Sequence, residues 1–254
     1  MSDEVVVAID DGIMTVTINR PEAKNAINRA VAEGIAAAMD ELDRSPEVRL
    51  AILTGAGGVF CSGMDLKAYV RGESPFVAGH GFGGLCGTPP QKPLIAAVEG
   101  FALAGGFELA IACDLIVAAD NARFGIPEVK VGLIAAAGGL LRTPRQIPRR
   151  VAMEMALTGE FISTQRAYEL GLINRVVGAG GALAAAQTLA RTIAGNGPLA
   201  VATSKRLIVE SQDWTSARMF ENQEPLLQAI VNSKDSIEGA TAFAEKRPPK
   251  WQGC

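Results

Sequence analysis

The sequence predicts an α/β protein with its strands first and its helices last. Three observations carry this. β-branched alternation fills the first twenty residues, Gly-punctuated apolar runs recur to about residue 119, and helical apolar spacing dominates after about residue 137. No low-complexity linker divides the 254 residues. The reading is one α/β core over 1–190 followed by a helical region over 191–254. The apolar faces of that last region exceed what one core needs, which points to oligomer packing.

Taken in order, VVVAIDDGIMTVTIN at 5–19 reads as two strands around Asp10-Asp11-Gly12, and Arg20-Pro21 ends the pair. Val31, Ile35, Met39 and Leu42 recur at helical spacing, which predicts a helix from Asn28 to Arg44. Residues 49–54 read as a buried strand. Residues 71–91 hold six glycines and three prolines and predict a long mobile loop. Strands are expected at 94–98, 115–119 and 174–177, with a helix from Gly105 to Cys113 between the first two. Helices are expected at 137–157, 164–171, 181–195, 198–211, 214–231 and 235–246. No fixed-period repeat is visible.

Composition excludes several function classes. Lys plus Arg is 24 against 27 for Asp plus Glu, a net charge of −3, which argues against broad nucleic-acid binding. The helix at 28–44 carries Glu33, Asp40, Glu41 and Asp43 and would repel RNA. One histidine, His80, rules out a multi-histidine zinc site, and no metal is expected. No apolar run reaches the roughly 20 residues of a membrane span, and Met-Ser-Asp-Glu has no signal character. The four cysteines form no CxxC pair, and the expected location is cytoplasmic. Cys61 and Cys113 read as core residues, and His80 as a solvated loop residue.

Two Gly-containing turns each follow a strand and open into a helix: Phe60–Lys67 and Glu99–Glu108. Such turns leave backbone N–H groups free at a helix start, and two of them together would hold a developing oxyanion. The plainer alternative is that the glycines only permit tight packing. Glu108, beside Phe107, Leu109 and Ile111, and Glu128, in the apolar FGIPEV stretch, are carboxylates that need a partner or a function. Converging, they could divide acid and base duties.

The pieces RPEAKNAIN (20–28), ILTGAGGVFCSGMDLK (52–67), KPLIAAVEGFALAGGFELAIACDLIVAADNARFGIPEVKVGL (92–133) and AFAEKRPPKW (242–251) together resemble the crotonase, or enoyl-CoA hydratase/isomerase, superfamily. The resemblance implies a ClpP-like spiral of repeated ββα units with C-terminal helices that form a homotrimer or homohexamer. It implies an oxyanion hole at the backbone N–H groups of Met64 and Gly105, with Glu108 and Glu128 activating water for addition to a trans-2-enoyl-CoA. It places Lys24, Ala26, Ser62, Asp65, Leu66, Lys67, Phe243 and Lys246 along CoA, the last two often reaching a neighbouring subunit. CoA is part of the substrate, and no cofactor is implied. Phe107 and the EKRPPKW ending also resemble the branch that includes carnitinyl-CoA dehydratase, whose quaternary-ammonium substrate would want aromatic walls; Phe82 and Tyr69 are the candidates. A Δ3-Δ2 enoyl-CoA isomerase, which needs only one base, would also fit the resemblance, as would a catalytically silent acyl-CoA-binding protein. The chain departs from the family's common Pro-Gly turn at Leu133–Gly139, which bears on acyl fit.

Overall fold

The computed structural model describes residues 4–254; the first three residues of the acidic start lie outside it. Strands β1 (Val5–Asp10) and β2 (Ile13–Ile18) pair antiparallel, Val7 opposite Val16. Helix α1 (Arg29–Arg44) follows, its first turn capped by Asn28, whose side chain accepts the Val31 N–H at 2.9 Å. A cap of this kind is worth about 1 kcal/mol. Strand β3 (Leu50–Gly55) leads through the first Gly-rich turn to the short helix α2 (Leu66–Val70).

Residues 71–91 contain a small hairpin, β4 (Phe76–Val77) with β5 (Gly81–Phe82). Then come β6 (Leu94–Val98), β7 (Phe101–Leu103) and α3 (Gly105–Ala112), followed by β8 (Leu115–Ala119), β9 (Arg123–Gly125) and a 3₁₀ turn at Pro127–Val131. The rest is α4 (Gly139–Gln146), α5 (Arg149–Thr158), β10 (Ile162–Ser163), α6 (Thr164–Glu169), β11 (Arg175–Val177), α7 (Ala182–Ala194), α8 (Pro198–Glu210), α9 (Met219–Val231) and α10 (Lys234–Glu245).

The main sheet has the order β1-β2-β3-β6-β8-β11 and is parallel from β2 onward. A second sheet, β10-β9-β7, is extended by a bridge from Cys61 to Ala102. Each turn of the chain therefore adds one strand to the main sheet and one segment to the second, then a helix or 3₁₀ turn. This is the expected spiral. Its repeat is invisible in the sequence because the first strands of successive units begin at residues 50, 94 and 115, the long 71–91 segment stretching one interval.

The central strands read as unbroken apolar runs because both sheet faces are covered. On β3, Ala51 and Leu53 face the cluster holding Val31, Ile35 and Met39 of α1, whereas Leu50 and Ile52 face Ala186 and Ala190 of α7. Helices α8 and α9 bury no residue completely, and apolar Ile208, Phe220, Ile237 and Phe243 stand exposed on the C-terminal helices. No helix among the described residues is long and apolar enough to cross a membrane.

Two expectations need correction, and two short strands were not foreseen. The helix expected at 137–157 is two helices, because Pro148 holds Ile147 extended, at φ −132° and ψ 164°. Strands β7 and β9, three residues each, are too short to show a period. The 71–91 segment is packed: Phe82, Leu85 and Cys86 are buried in the main core. Its glycines mark turns, and its apolar residues seat the loop.

Candidate active site

The site begins with two backbone segments that run side by side. Ile27 donates its N–H to Gly63 O at 2.8 Å and accepts the Asp65 N–H at 2.9 Å. In that parallel pattern Met64 turns its own N–H to the opposite edge. No protein acceptor among the described residues takes it. On the second segment, Ala104 precedes α3 with φ 51° and ψ −128°, a conformation unusual for a residue with a Cβ. It donates its N–H to Gly125 O at 2.9 Å, and Gly105, the first helical residue, is left with an unpaired N–H.

Two glycines let these segments touch. A Cβ on Gly63 would lie 2.8 Å from Ala104 Cβ and 3.3 Å from Gly105 N, and one on Gly106 would collide with Cys61 O. The Met64 and Gly105 segments are thus in backbone contact, with two free donors at the positive end of α3.

Glu108 lies one turn into α3, only 3% exposed, in a helix buried along its whole length. Its Oε1 accepts the Gly139 N–H at 2.8 Å. Burial lifts its pKa to about 7; the Gly139 N–H opposes this, the Glu128 carboxylate adds to it, and the Ala137 N–H and Arg142 oppose it further. Glu128 sits on the 3₁₀ turn, where Pro127 fixes the first residue. Its Oε2 is buried and has no protein partner, and burial raises its pKa. The two carboxyls feel each other, so ionising one opposes ionising the second. Such a pair holds a proton near neutral pH and can both give and take one.

Phe82 leans on this centre. Its ring packs on Gly105 so closely that a Cβ there would strike Cζ, and Phe76 meets Phe82 edge-on at 5.6 Å. His80, expected in solvent, is 19% exposed, with Nε2 3.3 Å from Asp40 Oδ1. Packing of the loop against α1 explains the difference. Tyr69, the other aromatic candidate, is half exposed on α2.

The structure gathers most of the proposed CoA contacts. Lys24 O accepts the Ser62 N–H at 3.1 Å, which joins the Lys24–Ala26 segment to Ser62, Asp65, Leu66 and Lys67. Lys24, Leu66 and Lys67 are exposed, and Ala26 is buried. The Asp65 carboxylate is already engaged: it caps α2 through the Ala68 N–H at 3.0 Å and takes both Arg20 terminal nitrogens at 3.1 Å. Burial pushes its pKa up, but those partners outweigh it and the net direction is down. Phe243 and Lys246 are not brought to this cluster within one chain. Phe243 is 87% exposed on α10, and Lys246 ends that helix in a left-handed conformation.

A surface cavity of about 550 Å³, lined by Tyr168, Asn174, Arg175 and Thr188 among others, touches none of these residues. Cys61 and Cys113 are buried, as expected, and burial raises both thiols, Cys61 to about 12.

Residues 8–254 match the family model described as enoyl-CoA hydratase/isomerase. The chain belongs to the enoyl-CoA hydratase/isomerase family. Its fold superimposes on the enoyl-CoA hydratase of Mycobacterium tuberculosis H37Rv with a TM-score of 0.98, at 56% identity and with both chains wholly covered. The carnitinyl-CoA hydratase of Mycobacterium avium matches at 0.80 and 44%, again over both whole chains. The carnitinyl-CoA dehydratase of Proteus mirabilis is 38% identical over the full length of both. These relatives are named hydratases and dehydratases, which are hydro-lyases, and that class of activity applies here.

Two parts of this candidate site lie outside the sequence resemblance. The 137–139 peptide, whose N–H groups face Glu108, shows in the sequence only as a departure in turn composition. Arg142 carries no signal there, because an arginine in an amphipathic helix normally reads as solvated.

Proposed function

We propose that the protein adds water across the 2,3 double bond of a trans-2-enoyl-CoA. The observation that carries this is the coupled pair Glu108 and Glu128, one oxygen of which is buried without a partner, beside the free Met64 and Gly105 N–H groups. A water held by the two carboxyls gives a proton to one of them as its oxygen bonds to C3. The thioester oxygen takes the charge and is held by the two N–H groups. The other carboxyl protonates C2, and the thioester carbonyl re-forms. The atoms of one water are consumed, and no cofactor enters beyond the CoA carried by the substrate.

Lys24, Lys67 and the segment between Ser62 and Leu66 would hold the CoA end, with Phe243 and Lys246 supplied by a neighbouring subunit. This requires the exposed apolar residues of α8–α10 to form a homotrimer or homohexamer, with residues 1–190 as the catalytic core and 191–254 as the assembly region. The reading also places the protein in the cytoplasm, where its four unpaired cysteines stay reduced. Light scattering on a sizing column tests the assembly.

A second reading, hydration of crotonobetainyl-CoA, is favoured by the names of several relatives and by the Phe82 ring beside Gly105. A panel of enoyl-CoA thioesters, short to long and including crotonobetainyl-CoA, separates the two by kcat/KM. Loss of the enoyl thioester's ultraviolet absorbance reports hydration. An unchanged spectrum for every thioester in the panel would sink the hydratase reading.

A further inference from the structure

Arg142 is a half-buried cation that forms no ion pair among the described residues. Its Nη2 donates to Cys86 O at 2.7 Å and its Nη1 to Ala137 O at 3.3 Å. Its guanidinium lies over Gly138, where any Cβ would collide with it. The two carbonyls belong to different parts of the chain. Cys86 ends the loop that carries Phe82, and Ala137 opens the peptide whose Gly139 N–H is bonded to Glu108. A planar fork can hold two carbonyls at once; a lysine cannot reproduce both contacts.

We infer that Arg142 is a positioning residue for Glu108: it clamps the 137–139 peptide to the Phe82–Cys86 loop and presents a positive charge to Glu108. The inference rests on Glu108 taking part in the proposed hydration, but the charge can be followed in the Glu108 titration without that activity. The groups facing Glu108 are Glu128 from the 3₁₀ turn, Arg142 from α4 and Cys86 from the loop. Glu128 makes ionisation of Glu108 harder and Arg142 makes it easier. The Cys86 thiol, itself pushed up by burial, stays neutral. Removing Arg142 therefore moves the Glu108 titration to higher pH.

The test follows the Glu108 carboxyl by carbon-13 NMR, assigned with Glu108→Gln, alongside the pH profile of kcat. Arg142→Gln is expected to raise the Glu108 midpoint and to lower kcat roughly tenfold or more. Arg142→Lys keeps the charge and loses the fork, so its midpoint stays near the parental value while kcat falls several-fold. A parental midpoint in Arg142→Gln overturns the charge role. Parental kcat in Arg142→Lys, with the activity panel positive, overturns the clamp. Should Arg142→Gln fail to fold, Arg142→Lys decides alone: a parental midpoint with lowered kcat supports the inference, and any other pairing defeats it. A shifted midpoint in a protein that hydrates nothing would count against the proposed reaction and leave Arg142 in place.

Discussion

Glu108 and Glu128 are two glutamates in one small volume, and the chain treats them in opposite ways. Glu108 is carried by a helix buried from end to end and takes a backbone N–H. Glu128 rides a single 3₁₀ turn and keeps a buried oxygen that no protein group satisfies. Asp65, at the end of the first Gly-rich turn, is a third case, with a cap and a guanidinium both supplied. On the proposed function, the contrast separates structural from chemical carboxylates. Where the protein supplies every partner the group holds the fold, and where it withholds one at a buried oxygen that oxygen is left for a water or a substrate atom to satisfy.

The largest effect that would break this contrast is at Glu128. Glu128→Gln should lower kcat about 10³-fold, as measured by initial rates. A rate within tenfold of the parent would remove its chemical role. Glu108→Gln should cost roughly 10²-fold or more in kcat and should change stability with a definite sign. In the folded protein Glu108 holds its proton up to about pH 7, against 4.5 ordinarily. The stability tied to that proton is full below pH 4.5 and lost as pH rises through about 7. The Gln variant should therefore match the parent in acid and exceed it in mild alkali by up to about 3 kcal/mol in urea unfolding. A difference that does not vary with pH would contradict the burial argument.

A smaller effect sharpens the position of Glu108. A Cβ on Gly139 would lie 3.0 Å from Glu108 Oε1 and 2.8 Å from Ala135 Cβ. Gly139→Ala should displace the carboxylate and lower kcat about tenfold, with KM changed less. The smallest effect belongs to Asp65. Asp65→Asn keeps the cap, weakens the Arg20 pair, and should cost about 1–2 kcal/mol of stability while kcat stays within about twofold. A large loss of kcat there would mean that the division between structural and chemical carboxylates is drawn in the wrong place.

Much of this is legible in the sequence for identifiable reasons. The strands 94–98 and 115–119 stand at their expected bounds because both faces of each are apolar. The α1 boundary is legible from its Asn28 cap, and the two oxyanion turns from glycine between strand and helix. What escapes is set by contacts distant in sequence. Strands of three residues show no periodicity, and the packing of Phe82, Leu85 and Cys86 depends on α1 and α3. The role of Gly139 depends on a side chain 31 positions earlier. The break at Pro148 has a local signal in the proline itself, but apolar spacing continues on either side of it and masks the stop.

The backbone of Ala104 has one further implication. Its positive φ turns the next peptide so that the Gly105 N–H stands ready at the helix start before any substrate arrives. A conformation of this kind costs roughly 1–3 kcal/mol, and the packed chain around it must keep it from relaxing. If the Gly105 N–H serves as the proposed oxyanion donor, it is aimed before each encounter, and binding energy need not be spent on turning a peptide. Evolution toward a more stable protein and evolution toward a faster one would pull on residue 104 in different directions.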